Sequence, residues 1–212
     1  LQQSFNSSRA SLFSYGKKVL ILCVGMAFCQ QFIGFNTIIY FLPRIVSDLT
    51  LTDTLNAIQI STILIMFATL SVVITFIYID KFGRKPLLIV GTLLILLSFV
   101  LLLVFRLSDV NILILNIIPM ILYFVGFSIS GASTCMVYIY EILPNEIRRS
   151  GCSLIQTLSW TFNLIMVVVL PHLYSDNKWI IIIIMTVTTL LAIIITITLL
   201  PETKRMTLEE IG

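Results

Sequence analysis

Residues 179–200 read WIIIIIMTVTTLLAIIITITLL, a stretch without a single charge in which threonine is the only polar residue type. Its apolar residues stand side by side and do not alternate with polar ones. A strand of a membrane barrel would alternate over about ten residues, so this stretch reads as helix. A bilayer core about 30 Å thick needs roughly 20 apolar residues of helix to cross it. The run is long enough to span.

Five more runs of the same kind precede it, at about 19–42, 58–79, 87–105, 112–138 and 152–172. The separators are short and hold nearly all the charge: Arg44 to Asp53, Asp80 to Pro86, Arg106 to Asn111, Glu141 to Gly151 and Ser175 to Lys178. Composition agrees, with 58% hydrophobic and 11% charged residues. That charge share is about half that of an ordinary soluble domain, and the mean hydropathy is +1.09. The expected fold is all-α and polytopic, a bundle of six transmembrane helices.

Charge placement predicts orientation. Arg9, Lys17, Lys18, Lys81, Arg84, Lys85, Arg148, Arg149, Lys204 and Arg205 fall on one side, and only Arg44, Arg106 and Lys178 on the other. Basic residues gather on the cytoplasmic face of membrane proteins, so both ends of this segment are expected to be cytoplasmic. A solvated cytoplasmic rim also accounts for the net charge of +3, and no nucleic-acid partner is called for. Cys23, Cys29, Cys135 and Cys152 lie within or at the ends of spans, with spacing that suits neither a metal site nor a disulfide framework. They read as small apolar packing residues. The sequon Asn6-Ser7-Ser8 falls on the cytoplasmic side and should stay unglycosylated.

The first run contains an anomaly, CQQFIGFNTIIY at residues 29–40. A side-chain amide left in hydrocarbon without a partner costs a few kcal/mol, yet Gln30, Gln31 and Asn36 lie close together. On an ideal helix at about 100° per residue they point in three directions. Gly34 between them is a place where the helix can break, freeing backbone groups to meet a ligand. Broken helices are tolerated in membranes where they line a cavity or are buried in protein. The three amides therefore predict either interhelical bonds or, the favoured reading, a polar site on a water-filled path. Amides both donate and accept, as hydroxyls do, so the matching solute is uncharged and polyhydroxylated. No Asp, Glu, Lys or Arg interrupts the middle of a span, where an ionic substrate would normally require one.

QQFIGFNTIIYF resembles the Q-Q-x-x-G-x-N-x-x-x-Y-[YF] signature on the seventh helix of sugar porters of the major facilitator superfamily. DKFGRKP (80–86) is similar to that family's D-x-x-G-R-[RK] loop, EILPNEIRRSG (141–151) to its E-x-x-P-x-x-x-R loop, and PETKRMTLEEI (201–211) to the segment after its twelfth helix. Four motifs in order and register make the chain resemble the C-terminal six-helix half of such a transporter. The start at Leu1 and the small number of spans fit a fragment or the second half of a longer protein. The resemblance divides the chain into the end of a central linker (1–18), the bundle (19–204) and the start of a cytoplasmic tail (205–212).

By that resemblance Gln30, Gln31 and Asn36 line a central sugar site, and Tyr40 and Phe41 form its outer gate. On the fifth run, Gln156, Ser159 or Trp160, and Asn163 recur at three-to-four spacing on one helix face. The family pattern points to Trp160, with Asn163 beside it, as a border of the cavity. Two family positions differ. The sugar-binding Asn of helix eight falls at Ala68, and the Trp of the helix-ten G-P-x-x-W stretch falls at Met136, with the prolines absent too. Ser128, Ser130, Ser133 and Thr134 would keep that region polar. Gly126, Ser130, Gly131 and Ala132 would let backbones approach closely.

At the cytoplasmic mouth, Asp80, Arg84, Glu141, Arg148 and Glu202 are expected to form a charge latch that opens as two halves rock. Lys81, Arg149, Lys204 and Arg205 read as solvated rim charges. The resemblance implies transport of a neutral monosaccharide, most simply a hexose, by alternating access, facilitated or proton-coupled. Its expected partners are the sugar, the lipid bilayer of the plasma membrane and an N-terminal six-helix half. A transporter of another polyol such as myo-inositol or glycerol, and a sugar sensor that does not transport, are the alternatives. No cofactor is expected and no enzyme activity. The chain carries no P-loop, and its single histidine, His172, has no evident catalytic partner.

Overall fold

The computed structural model describes residues 17–50, 53–107, 113–143, 145–176 and 178–200. The described residues are helical apart from short joints. The helices are α1 (Lys17–Phe32), α2 (Phe35–Thr50), α3 (Thr54–Phe82), α4 (Arg84–Leu107), α5 (Leu113–Phe127), α6 (Met136–Ile142), α7 (Asn145–Asp176) and α8 (Lys178–Leu199). Between α5 and α6 the chain continues as a π-helix over Ser128–Cys135.

Among the described residues, six stretches are long and apolar enough to cross a membrane: Val19–Asp48, Thr54–Phe82, Arg84–Phe105, Leu115–Ile142, Ile147–Leu173 and Ile180–Leu199. They coincide with the six runs of the sequence. Span boundaries differ most in the first, which continues through Pro43 and Arg44 to Thr50 where the charges suggest a loop. Pro43 lacks an N–H and costs this helix one ladder bond, but the chain on either side stays helical. The sequon at Asn6, the tail charges Lys204 and Arg205, and Glu202 lie outside the described residues.

The spans pack as an antiparallel bundle. The third span, α4, lies against α5, the π segment and α8; α1 lies against α7 and α8; α3 lies against α2, α5 and the π segment. Lipid is as apolar as leucine, so close fit, not water exclusion, holds such helices together. Gly91 and Gly126 mark the closest approach. A Cβ on Gly91 would stand 2.6 Å from Gly126 O, and one on Gly126 would stand 2.7 Å from Gly91 O. Only hydrogen at both positions lets the third and fourth spans touch backbone to backbone.

Two apolar cores result. One gathers Phe99, Tyr123, Phe124, Phe127, Met166 and Met185 around the break in the first span. The other joins Cys23, Met26, Leu88, Tyr138, Ile147 and Leu200 towards the ends of the spans that carry Arg84 and Glu141. The four cysteines are free thiols, buried at Cys23, Cys29 and Cys135 and half-buried at Cys152, in keeping with a packing role.

Candidate functional site

The first span breaks at Ile33–Gly34. Gly34 adopts φ +85°, the left-handed region that a side chain disfavours, and its N–H donates back to Gln31 O at 2.9 Å. Phe35, the first residue of α2, stacks on Phe127 at 4.0 Å between ring centroids and meets Phe124 edge-on. On α1, Phe28 and Phe32 pack edge-on against Phe162 of the fifth span. The two halves of the broken span are thus pinned to different neighbours.

That geometry explains how amides pointing three ways on an ideal helix come together. Residues five apart on a continuous helix lie about 140° apart in angle. The turn at Gly34 brings Asn36 round, so that its Nδ2 donates to Gln31 Oε1 at 3.3 Å. Asn163 Nδ2, from the fifth span, donates to the same oxygen at 3.2 Å, while Gln31 Nε2 donates to Ser159 Oγ at 2.7 Å. Gln31, on the first half of the broken span, is the hub, bonded to the second half through Asn36 and to the fifth span through Ser159 and Asn163. Ser159 and Asn163 are buried; Gln31 and Asn36 are half-buried and form the open side of the cluster. Each amide nitrogen has a second N–H that these bonds do not use, and both asparagine carbonyl oxygens have acceptor capacity left, while Gln31 Oε1 already accepts twice.

Gln30 does not join this cluster. Its Nε2 donates to Gly131 O of the π segment at 2.7 Å, on another side of α1. Nor is the Ile33 carbonyl at the break open to a ligand: Tyr123 OH donates to Ile33 O at 3.1 Å. Thr188 Oγ1 lies 3.3 Å from Phe32 O, but its one proton is held closer by Ile184 O at 2.8 Å. The expectation that freed carbonyls face a solute is corrected at Ile33.

On the fifth span the residue bonded to Gln31 is Ser159, not Trp160. Ser159 belongs to the same helix face as Asn163, a spacing visible in the sequence. Trp160 stands on the adjoining strip, 58% exposed. Tyr40 is also exposed, one turn beyond Asn36 on the same face of α2, and Phe41 beside it is half-buried. Tyr123 has no signal in the sequence, since its partner lies 90 positions away.

The π segment occupies the stretch where the family's prolines are missing and ends just before Met136, where the family's Trp is missing. Ser133 and Thr134 donate to the carbonyls of Ser128 and Ile129, five residues back, at 3.1 and 2.6 Å. Ser128 Oγ donates to Phe124 O at 2.8 Å and lies 3.0 Å from Ala68 O on the second span. These hydroxyls are buried and bonded to backbone, so they supply no polar lining for a solute. Ala68, where the family carries an Asn, is a close contact between the second and fourth spans.

At one end of the bundle Arg84 bonds Glu141 Oε1 through Nε (3.0 Å) and Nη2 (2.7 Å), and Asp80 Oδ1 lies 3.0 Å from the same Nη2. The Arg84 and Glu141 side chains are 15% and 23% exposed, whereas Asp80 is 81% exposed. Lys85 Nζ donates to Ile197 O at 3.1 Å, which brings the last span to this same end. Arg148 Nε donates to Leu143 O at 3.0 Å, bracing the joint between α6 and α7. Among the described residues, no group of His, Cys, Asp and Glu side chains could hold a metal ion.

Comparison with known proteins bears on this geometry. The D-xylose-proton symporter of Escherichia coli K12 is 28% identical over 171 residues, covering 80% of this chain and 34% of that protein. The glucose facilitated diffusion protein of Zymomonas mobilis is 28% identical over 169 residues, covering 77% of this chain and 34% of its own. A crystal structure of a D-xylose-proton symporter superposes with a TM-score of 0.82 at 26% identity, over 97% of this chain and 49% of that one. The chain spans about a third of the length of these curated relatives and about half of the solved one. The family model described as Sugar (and other) transporter matches residues 1–212. With six membrane-spanning helices and that match over its whole length, the chain is an integral, multi-pass membrane protein and belongs to the sugar (and other) transporter family.

Proposed function

We propose that this chain forms one half of a transporter for a neutral monosaccharide, working by alternating access against an N-terminal six-helix half. The observation that carries the reading is the uncharged cluster of Gln31, Asn36, Ser159 and Asn163 at the break of the first span. Its unused donors and acceptors suit sugar hydroxyls, which also donate and accept. An uncharged site favours an uncharged solute, since a charge in the membrane normally calls for a partner. The relatives include xylose, glucose, arabinose and hexose carriers, which supports a hexose or pentose.

Within this reading Gln31, Asn36 and Asn163 bind the sugar directly, Trp160 offers a flat face to its ring, and Gln30 joins only after turning from Gly131. Tyr40 and Phe41 close the outer side. Asp80, Arg84 and Glu141 bias the cytoplasmic mouth, together with Arg148 and with Glu202, which lies outside the described residues. The arginine-rich end faces the cytoplasm of a cell bounded by its plasma membrane, with both ends of the segment inside. No carboxylate sits mid-span in this half, so any proton coupling resides in the other.

The test is uptake into proteoliposomes of the full-length protein, across a labelled panel of hexoses, pentoses and polyols, with and without a proton gradient. Saturable flux of one sugar is the expected result, and its response to the gradient decides between coupled and facilitated transport. Specific binding without flux would make the protein a sensor. Folded protein with neither flux nor binding would overturn the assignment.

A further inference from the structure

Behind the amide cluster, walled by the first, third, fourth and sixth spans, lies a cavity of about 30 Å³. Its polar border consists of Gln30, Thr92, Ser130, Gly131 and Thr196, set among apolar side chains. Gln30 is only 9% exposed. Its Nε2 donates to Gly131 O, which fixes the orientation of the amide, because the reverse would set two carbonyl oxygens against each other. Gln30 Oε1 is then buried with no donor in reach among the described residues.

The three hydroxyls on the same cavity cannot supply one. Each has a single proton and each gives it to its own helix: Thr92 to Leu88 O at 2.7 Å, Ser130 to Gly126 O at 2.9 Å and Thr196 to Ala192 O at 2.7 Å. Their oxygens keep lone pairs. Apart from the Cys29 and Cys135 thiols, which are weak donors, the polar groups on the cavity offer acceptors, and an occupant that meets Gln30 Oε1 must donate.

We propose that this cavity is a hydration site for one water molecule, which donates one proton to Gln30 Oε1 and the other to a hydroxyl oxygen of Thr92, Ser130 or Thr196. A buried water needs at least about 10–15 Å³ of such space and two to four polar partners, and the cavity meets both requirements. A sugar ring is far too large for it, and an apolar occupant would leave Gln30 Oε1 unmet. The site requires only Gln30 and the packing around it, so it stands apart from the transport reading. It also gives Gln30 a position distinct from that of Gln31. Water and Gly131 together hold its amide away from the cluster, and any turn of Gln30 towards a solute releases both.

The experiment is a structure of the full-length protein, without sugar, at a resolution that shows ordered waters. The expected result is an isolated peak about 2.7–3.0 Å from Gln30 Oε1 and within hydrogen-bond reach of one of the three hydroxyls. Gln30→Met should abolish it, as should one of Thr92→Val, Ser130→Ala or Thr196→Val, each of which removes an acceptor oxygen from the cavity. An ordered Gln30 amide with no peak would overturn the proposal. So would a peak that survives all three hydroxyl variants, or one at metal-coordination distance that follows exchange of sodium for potassium in the buffer.

Discussion

Gln31 accepts from both Asn36 and Asn163 on one oxygen and donates to Ser159, so it positions the cluster as well as belonging to it. Asn36 makes one long bond, at 3.3 Å, and its remaining capacity faces the open side. The two substitutions should therefore behave differently. A net hydrogen bond is worth about 0.5–1.5 kcal/mol, and a tenfold change in affinity corresponds to about 1.4 kcal/mol. Asn36→Ala should raise the KM for sugar uptake about five- to tenfold while expression and thermal stability hold. Gln31→Ala should raise it further and also lower the melting temperature, because the buried Ser159 and Asn163 lose the partner they share. Unchanged uptake kinetics in Asn36→Ala would remove that residue from the site. The identities of these amides, and Gly34 as the place of the break, are legible in the sequence. What the sequence does not supply is direction: the same ideal-helix angles that flag three amides give no hint that the turn gathers Asn36 to Gln31 and leaves Gln30 facing Gly131.

At the scale of elements, the spans are readable because each is a long run of apolar residues between charges. Their contacts are not, because lipid-facing and protein-facing positions in such runs share one composition. The second span illustrates this: only 22% of its most apolar window is buried inside this half, yet its sequence is less apolar than that of the third. The π-helix over Ser128–Cys135 is equally hidden. The missing prolines and Trp mark the stretch as unusual, but the register shift depends on hydroxyls bonding five residues back and on Gln30 taking Gly131 O. Gly126 stands out in the sequence among small residues, whereas its partner Gly91 emerges only from the packing. This crossing supports a sharp comparison. Gly126→Ala sets a methyl group against the Gly91 carbonyl, a backbone atom that cannot swing aside, and overpacking of that kind costs about 1–3 kcal/mol. A Cβ on Gly25 would meet nothing within 4 Å. Melting of the full-length protein in detergent should fall clearly for Gly126→Ala and stay close to wild type for Gly25→Ala. Equal melting temperatures would mean that the third and fourth spans do not meet backbone to backbone.

For the whole molecule, the charges at the arginine-rich end act first within this half. Arg84 begins the third span, Asp80 lies near the end of the second and Glu141 near the end of the fourth, so the cluster ties three spans together. A bridge of this kind can also bias a rocking transporter, provided that its strength differs between the two states. Exposure ranks its members. Asp80, 81% exposed, sits in water where an ion pair contributes about 0–1 kcal/mol. Arg84 and Glu141 are mostly covered, and removing one partner from such a pair leaves the other charge poorly solvated, at a cost of up to a few kcal/mol. Glu141→Gln should therefore lower both melting temperature and transport rate, and Asp80→Asn should change either only slightly. Loss of transport in Glu141→Gln without loss of stability would mean that the pair acts mainly on the balance between open states. Loss of stability at an unchanged transport rate per folded molecule would make it a structural clamp and remove it from the latch. Uptake normalised to folded protein, measured beside thermal melting in the same preparations, separates the two.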